Sequence, residues 1–149
     1  MIKSSDLQEA EQLFQNPSDD VLRPLLQSAK TIAVVGLSPK RHRDSYRVAK
    51  YLQERGYRII PVYPRENEIL GEKVYAQLDD IPVTVDIINV FRRSDQVPPV
   101  IESAVRLQPA AVWLQLGVIS EDAAVLACGK GLLLIMDRCI MIEHRRLGL

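Results

Sequence analysis

What the chain lacks narrows the field before any motif is considered. It has two cysteines, Cys128 and Cys139, and their spacing makes neither a metal motif nor a disulfide framework. A reducing cytosol is therefore the expected compartment. There is no excess of charge of either sign: 19 Lys plus Arg balance 19 Asp plus Glu. Nucleic-acid binding usually shows as a basic excess, so no nucleic-acid partner is expected. The longest apolar runs are far too short to span a bilayer, so no membrane role is expected either. The first residues, MIKSSDLQEAEQLFQ, are polar and acidic, unlike a signal peptide. No Walker loop, GxSxG or HExxH occurs, and no repeat or low-complexity segment is present.

What is there suits one domain over residues 1–149, with residues 1–17 as a peripheral N-terminal helical segment. A chain of this size buries roughly 70% of its unfolded surface and needs no disulfide or metal to hold it. Residues 4–15 and 19–29 read as helices separated by Asn16-Pro17. Ser18 or Asp19 caps the second, and Val21, Leu22, Leu25 and Leu26 form its apolar stripe. Short β-branched apolar runs follow: TIAVVG, YRIIPVY, VDIINVF, AAVWLQLG and GLLLIM. Helical patterns separate most of them, over 45–55, 94–107 and from Ser120 onward, with Ser120 as a cap and Glu121 and Asp122 in the first turn. Residues 64–82 read as loop and short pieces with a turn at Gly71, and the tail holds a last helical turn or two. Continuous apolar strands alternating with helices predict an α/β, Rossmann-like doubly wound fold. Its mainly parallel five-stranded sheet would carry helices on both faces and bind ligands at the carboxyl ends of its strands. The strand-end loops expected there are 36–45, 63–66, 91–95 and 116–120, and three of the four carry Arg or Lys.

The first of these loops lies in TIAVVGLSPKRHRDSY. Gly36 lets backbone approach a ligand with no Cβ in the way. Lys40, Arg41 and Arg43 follow, and Ser45 is placed to cap the next helix, whose N-terminus suits phosphate. A dinucleotide fingerprint needs two further glycines and an acidic residue after the second strand. Here the second strand ends Val62-Tyr63-Pro64-Arg65. An arginine there suits a ribose phosphate, which both NADP and coenzyme A possess. A loop salt bridge is the competing explanation for Arg65. Arg92 is placed to reach a phosphate and Phe91 to flank an adenine, and Gly117 again permits close backbone approach. Trp113 reads as core.

Catalytic chemistry is thinly represented. His42 and His144 have no evident carboxylate partner, and a solvated role is expected for both. Cys139 reads as a small buried hydrophobe rather than a nucleophile. No catalytic residue and no metal site is assigned.

Taken together, VVGLSPKRHRDSYRVAKYLQERGYRIIPVYPR, ILGEKVYAQLDDIP, VDIINVFRR, AVWLQLG and MDRCIMIEHRRL give a resemblance. The chain resembles the small stand-alone CoA-binding domain proteins, similar to the N-terminal domain of the succinyl-CoA synthetase α-subunit. The resemblance implies a cytoplasmic protein with coenzyme A or an acyl-CoA at the carboxyl edge of the sheet. It implies that Gly36, Leu37, Ser38 and the loop to Ser45 and Tyr46 wrap the ligand. Pro64-Arg65 would meet the adenosine phosphate, and Phe91-Arg92 with Leu116-Gly117 would complete the pocket. The synthetase's second domain, source of its phosphorylated histidine, has no counterpart in these residues, so ligase activity is not implied. What is expected is binding without evident catalysis, with the ligand's thiol left free to face a protein partner. NADP binding, with or without redox chemistry, and a ligand-free interaction protein are the alternatives.

Overall fold

A computed structural model describes residues 14–149. The helix expected over 4–15 falls outside the described residues except at Phe14 and Gln15, which are not helical. Helix α1 spans Asp19–Ser28 and buries Leu22, Leu25 and Leu26. Val21, expected on that stripe, points outward and is 41% exposed. Ser18 does occupy the cap position, but its side chain makes no cap bond. Its carbonyl instead accepts the N–H groups of Val21 and Leu22 at 2.9 and 3.0 Å.

The chain then builds β1 (Thr31–Val35), α2 (Asp44–Glu54) and β2 (Arg58–Val62). A small antiparallel hairpin follows, β3 (Glu68–Ile69) with β4 (Glu72–Lys73), turning on Leu70 and Gly71. A 3-10 turn at Leu78–Asp80 leads toward β5 (Ile87–Val90). A second 3-10 turn at Ser94–Gln96 opens α3 (Val97–Leu107), and then come β6 (Ala111–Leu114), α4 (Glu121–Gly129), β7 (Leu134–Ile135) and α5 (Ile140–Arg146). Ser120 caps α4 as expected, its hydroxyl accepting from the Ala123 N–H at 3.1 Å.

Five strands form one parallel sheet in the order β2-β1-β5-β6-β7. Each is a short, almost wholly buried run, because helices cover both faces. Alternation along β1 sends Ile32 and Val34 to the face of α1, α2 and α5 and Ala33 and Val35 to the face of α3 and α4. Trp113 lies wholly inside the first cluster, its indole N–H donating to the Arg138 carbonyl at 2.8 Å.

The outer strand shows how a proline is accommodated. Pro61 lies in β2 at the sheet edge, paired inward with Val34. Its carbonyl faces outward and accepts the Tyr75 N–H at 3.0 Å, so its missing donor falls on the side away from β1. At the opposite edge, Asn16 lies alongside the residue after β7. Its amide both donates to the Met136 carbonyl and accepts the Met136 N–H, each at 2.8 Å. The crossover from β2 to β5 contains the hairpin and a 3-10 turn in place of an α-helix, so the loop at 63–66 leads into a hairpin.

This strand order reverses the direction of winding at β1. Connections on either side of β1 and β5 diverge, which opens a crevice at their carboxyl ends.

Candidate functional site

The crevice is built around a contact between Gly36 and Phe91. Gly36 follows β1 with φ +83°, a conformation L side chains rarely adopt. A Cβ there would also drive into the carbonyl oxygen of Phe91. The Gly36 N–H donates to the Val62 carbonyl at 2.9 Å, and the Phe91 N–H donates to the Val35 carbonyl at 2.8 Å. Glycine is therefore demanded twice, by dihedral and by space.

Beyond it, the loop is braced from within. Leu37 turns into the core and is fully buried. The Ser45 hydroxyl accepts the Ser38 N–H at 3.0 Å, and the Ser38 hydroxyl accepts the Lys40 N–H at 3.1 Å. Ser45 was expected to cap α2, but it sits inside the helix, and Arg43 occupies the cap position without a side-chain cap bond. With its hydroxyl committed to the loop, Ser45 leaves the first-turn N–H groups of α2 without a side-chain acceptor. Such a helix end suits an anion.

Two adjoining cavities open here. The smaller, of about 360 Å³, is lined by Gly36, Ser38, Lys40, Arg43 and Ser45, with Asp44, Tyr63 and Phe91. The larger, of about 1000 Å³, lies between α2 and α5 and shares Asp44 and Phe91 with the first. Of the residues singled out in the sequence, Arg92 and Leu116 join Phe91 in the larger cavity. Leu37, Arg41, Tyr46, Pro64, Arg65 and Gly117 line neither. Arg41, Pro64 and Arg65 are exposed, and Tyr46 is half-buried against the core. The Gly117 N–H is taken by Asp137 Oδ1 at 2.7 Å.

The electrostatics favour an anion. Among the described residues, Lys40, Arg43, Arg65 and Arg92 form no salt bridge, whereas Arg47 pairs with Asp44 and Arg93 with Asp95 at 3.4 Å. Cations with no carboxylate partner among the described residues hold a positive potential over the crevice. No group of three or more His, Cys, Asp or Glu side chains among the described residues is placed to hold a metal ion, and no helix among them is long and apolar enough to cross a membrane.

Three features of this region were not read from the sequence. His144 was expected in solvent but is 3% exposed. Its Nδ1 meets the Tyr51 hydroxyl at 2.8 Å, and its ring stands edge-on to Tyr51 and Tyr57. Burial, and then the Arg55 guanidinium, hold its pKa below the ordinary histidine value. Tyr51, on the cavity wall, lies between the guanidiniums of Arg55 and Arg145, at 4.6 and 4.8 Å from its ring centre. Asn89 sits in the middle of the sheet, in register with Val34 and Trp113, and is fully buried with neither amide atom hydrogen-bonded among the described residues. His42 is exposed, as expected. Cys139 is buried, as expected of a small hydrophobe, and forms part of the larger cavity's wall.

Known proteins resemble this chain in sequence and fold. Residues 30–145 match the family model described as "CoA binding domain". The chain is 44% identical over 131 residues to the uncharacterized protein YneT of Bacillus subtilis (strain 168), covering 88% of this chain and 97% of that one. It is 29% identical over 73 residues to the ADP-forming acetate–CoA ligase of Methanocaldococcus jannaschii, covering 49% of this chain and 10% of the ligase. A solved structure from Thermus thermophilus, described as cell-free ID.343, superposes with a TM-score of 0.85 at 38% identity, covering 88% of this chain and 99% of that one.

Proposed function

The chain belongs to the CoA binding domain family, and from that premise we propose that it is a binding protein for coenzyme A or an acyl-CoA. The observation that carries this reading is the crevice beside the Gly36–Phe91 contact. Backbone approaches closely there, α2 begins without a side-chain cap, and Lys40 and Arg43 line the space. The uncapped first-turn N–H groups of α2 and these cations hold phosphate oxygens through charge-assisted hydrogen bonds. Arg92 adds a further cation from the end of β5, and Phe91 offers an aromatic edge between the two cavities. Arg65 is exposed on the turn after β2, where it meets the ribose phosphate from outside. This reading gives the site residues binding roles and assigns none of them a catalytic one.

An NADP-binding module is the second reading, favoured by the same Arg65. Calorimetric titration with CoA, acetyl-CoA, NADP and NAD separates the two. Binding of CoA species and silence with both dinucleotides is the expected outcome. Tight NADP binding with no response to CoA would replace this reading with the second, and silence throughout would favour a protein that works only through a partner.

A further inference from the structure

The larger cavity is built unlike the smaller. Its wall presents Val48, Phe91, Leu116, Val118, Met141 and Ile142. Leu116 is 64% exposed and Ile142 50% exposed, so large apolar side chains face open space on this wall. Arg47, Lys50, Arg92, Arg93 and Arg145 also line it, against the carboxylates of Asp44 and Glu54. Asp44 is already engaged by Arg47. A wall that combines apolar and cationic side chains fits a ligand that is anionic at one end and hydrocarbon at the other.

A nucleotide alone does not use such a wall. Free CoA ends in a thiol and leaves most of the apolar surface wet, whereas a thioester continues into a hydrocarbon chain. The two cavities meet at Phe91 and Asp44, so one extended molecule can occupy both. We infer that the larger cavity receives the acyl chain of an acyl-CoA, and that the chain binds thioesters with apolar acyl groups longer than acetyl in preference to free CoA. This rests on the CoA reading above and adds the ligand class.

The test is a calorimetric series on the full chain with CoA, acetyl-CoA, butyryl-CoA and hexanoyl-CoA. Each buried methylene is worth at most about fourfold in affinity. Hexanoyl-CoA is expected to bind at least about tenfold more tightly than acetyl-CoA, allowing for incomplete burial and for ordering of the chain. Ile142→Ser, a change at an exposed position, flattens the series. Leu126→Ser, an equally conservative surface change on α4 away from both cavities, leaves it steep. Equal affinity for CoA and all three thioesters would overturn the acyl site and leave the CoA reading standing. An Ile142→Ser series as steep as that of the parent chain would do the same. Silence with every CoA species would overturn both. Sedimentation of the ligand-free chain covers the remaining occupant of this wall: a dimer that Ile142→Ser dissociates would show that a second copy covers it and would overturn the acyl site.

Discussion

The two ends of the sheet treat their polar groups in opposite ways. At the amino end, Asp86 Oδ2 accepts the N–H groups of Lys30 and Thr31 at 2.8 and 2.9 Å, tying the start of β1 to the approach of β5. The seam between α1 and α5 is likewise closed from within the fold by Arg23, which donates to the Leu147 carbonyl at 2.6 Å. Arg146 completes that seam by spanning Asp19 and Glu143. At the carboxyl end the pairing is partial: Arg47 and Arg93 meet Asp44 and Asp95, but other cations are left over. Lys40, Arg43 and Arg92 have no carboxylate partner among the described residues, and the Ser45 hydroxyl is spent on bracing the loop. Charge satisfied inside the fold stabilises it. Charge left unpaired around a crevice costs solubility nothing and attracts a ligand of opposite sign. On the proposed function, the amino end serves stability and the carboxyl end serves binding.

The sharpest departure from that division is Gly36, where both properties meet. Gly36→Val forces a β-branched residue into φ +83° and against the Phe91 carbonyl. A loss of about 2–4 kcal/mol is expected in urea denaturation, together with loss of CoA binding. The next largest effect belongs to the amino end. Asp86→Ala removes the shared acceptor of two backbone N–H groups and should cost about 1.5–3 kcal/mol, since hydrogen bonds to a charged group are at the strong end. CoA affinity should stay within about twofold if binding belongs to the other end. Arg43→Glu inverts the pattern. Arg43 is exposed and unpaired, so stability should move by no more than about 0.5 kcal/mol. CoA affinity should fall about tenfold or more, read by calorimetry.

The smallest expected effect is a pH dependence seated between the two ends. His144 is buried and its pKa lies below the ordinary value. As pH falls through the unfolded-state value near 6.5, the unfolded chain takes up a proton that the folded chain refuses. Stability contributed by the neutral, buried ring is complete above that pH. It declines as pH falls further, until the folded pKa is reached, with a slope of at most about 1.4 kcal/mol per pH unit. His144→Gln removes this part of the slope and His42→Gln, in the exposed loop, leaves it. Equal slopes for both variants would show that another group is responsible.

The sheet was legible because its strands are short β-branched apolar runs, and TIAVV and IINV need no tertiary information to be read. The α4 cap was legible for the same reason, since Ser120 and Ala123 are three residues apart. What escaped depends on contacts far apart in the chain. Asn16 meets Met136 across 120 positions, and Tyr51 meets His144 across 93. Nothing local to IEHRRL marks the histidine as buried. Asn89 is polar inside an apolar strand, and nothing local to it marks an amide without a partner among the described residues. Ser45 does not cap because helix α2 begins two residues earlier than a capping Ser45 requires, and loop bracing looks like capping until the helix start is known. At the site, the sequence pointed to the loop after β1 and to the end of β5. The cavity between α2 and α5 depends on the placement of a helix that begins nearly 90 residues after α2 ends.

Backbone amide chemical-shift mapping during a CoA titration tests the division most directly. The account predicts that shifts concentrate at Gly36–Ser45 and Phe91–Arg93, while Lys30, Thr31, Asp86 and Leu147 stay still. Shifts centred on the amino-end residues, or none at all at saturating CoA, would contradict it.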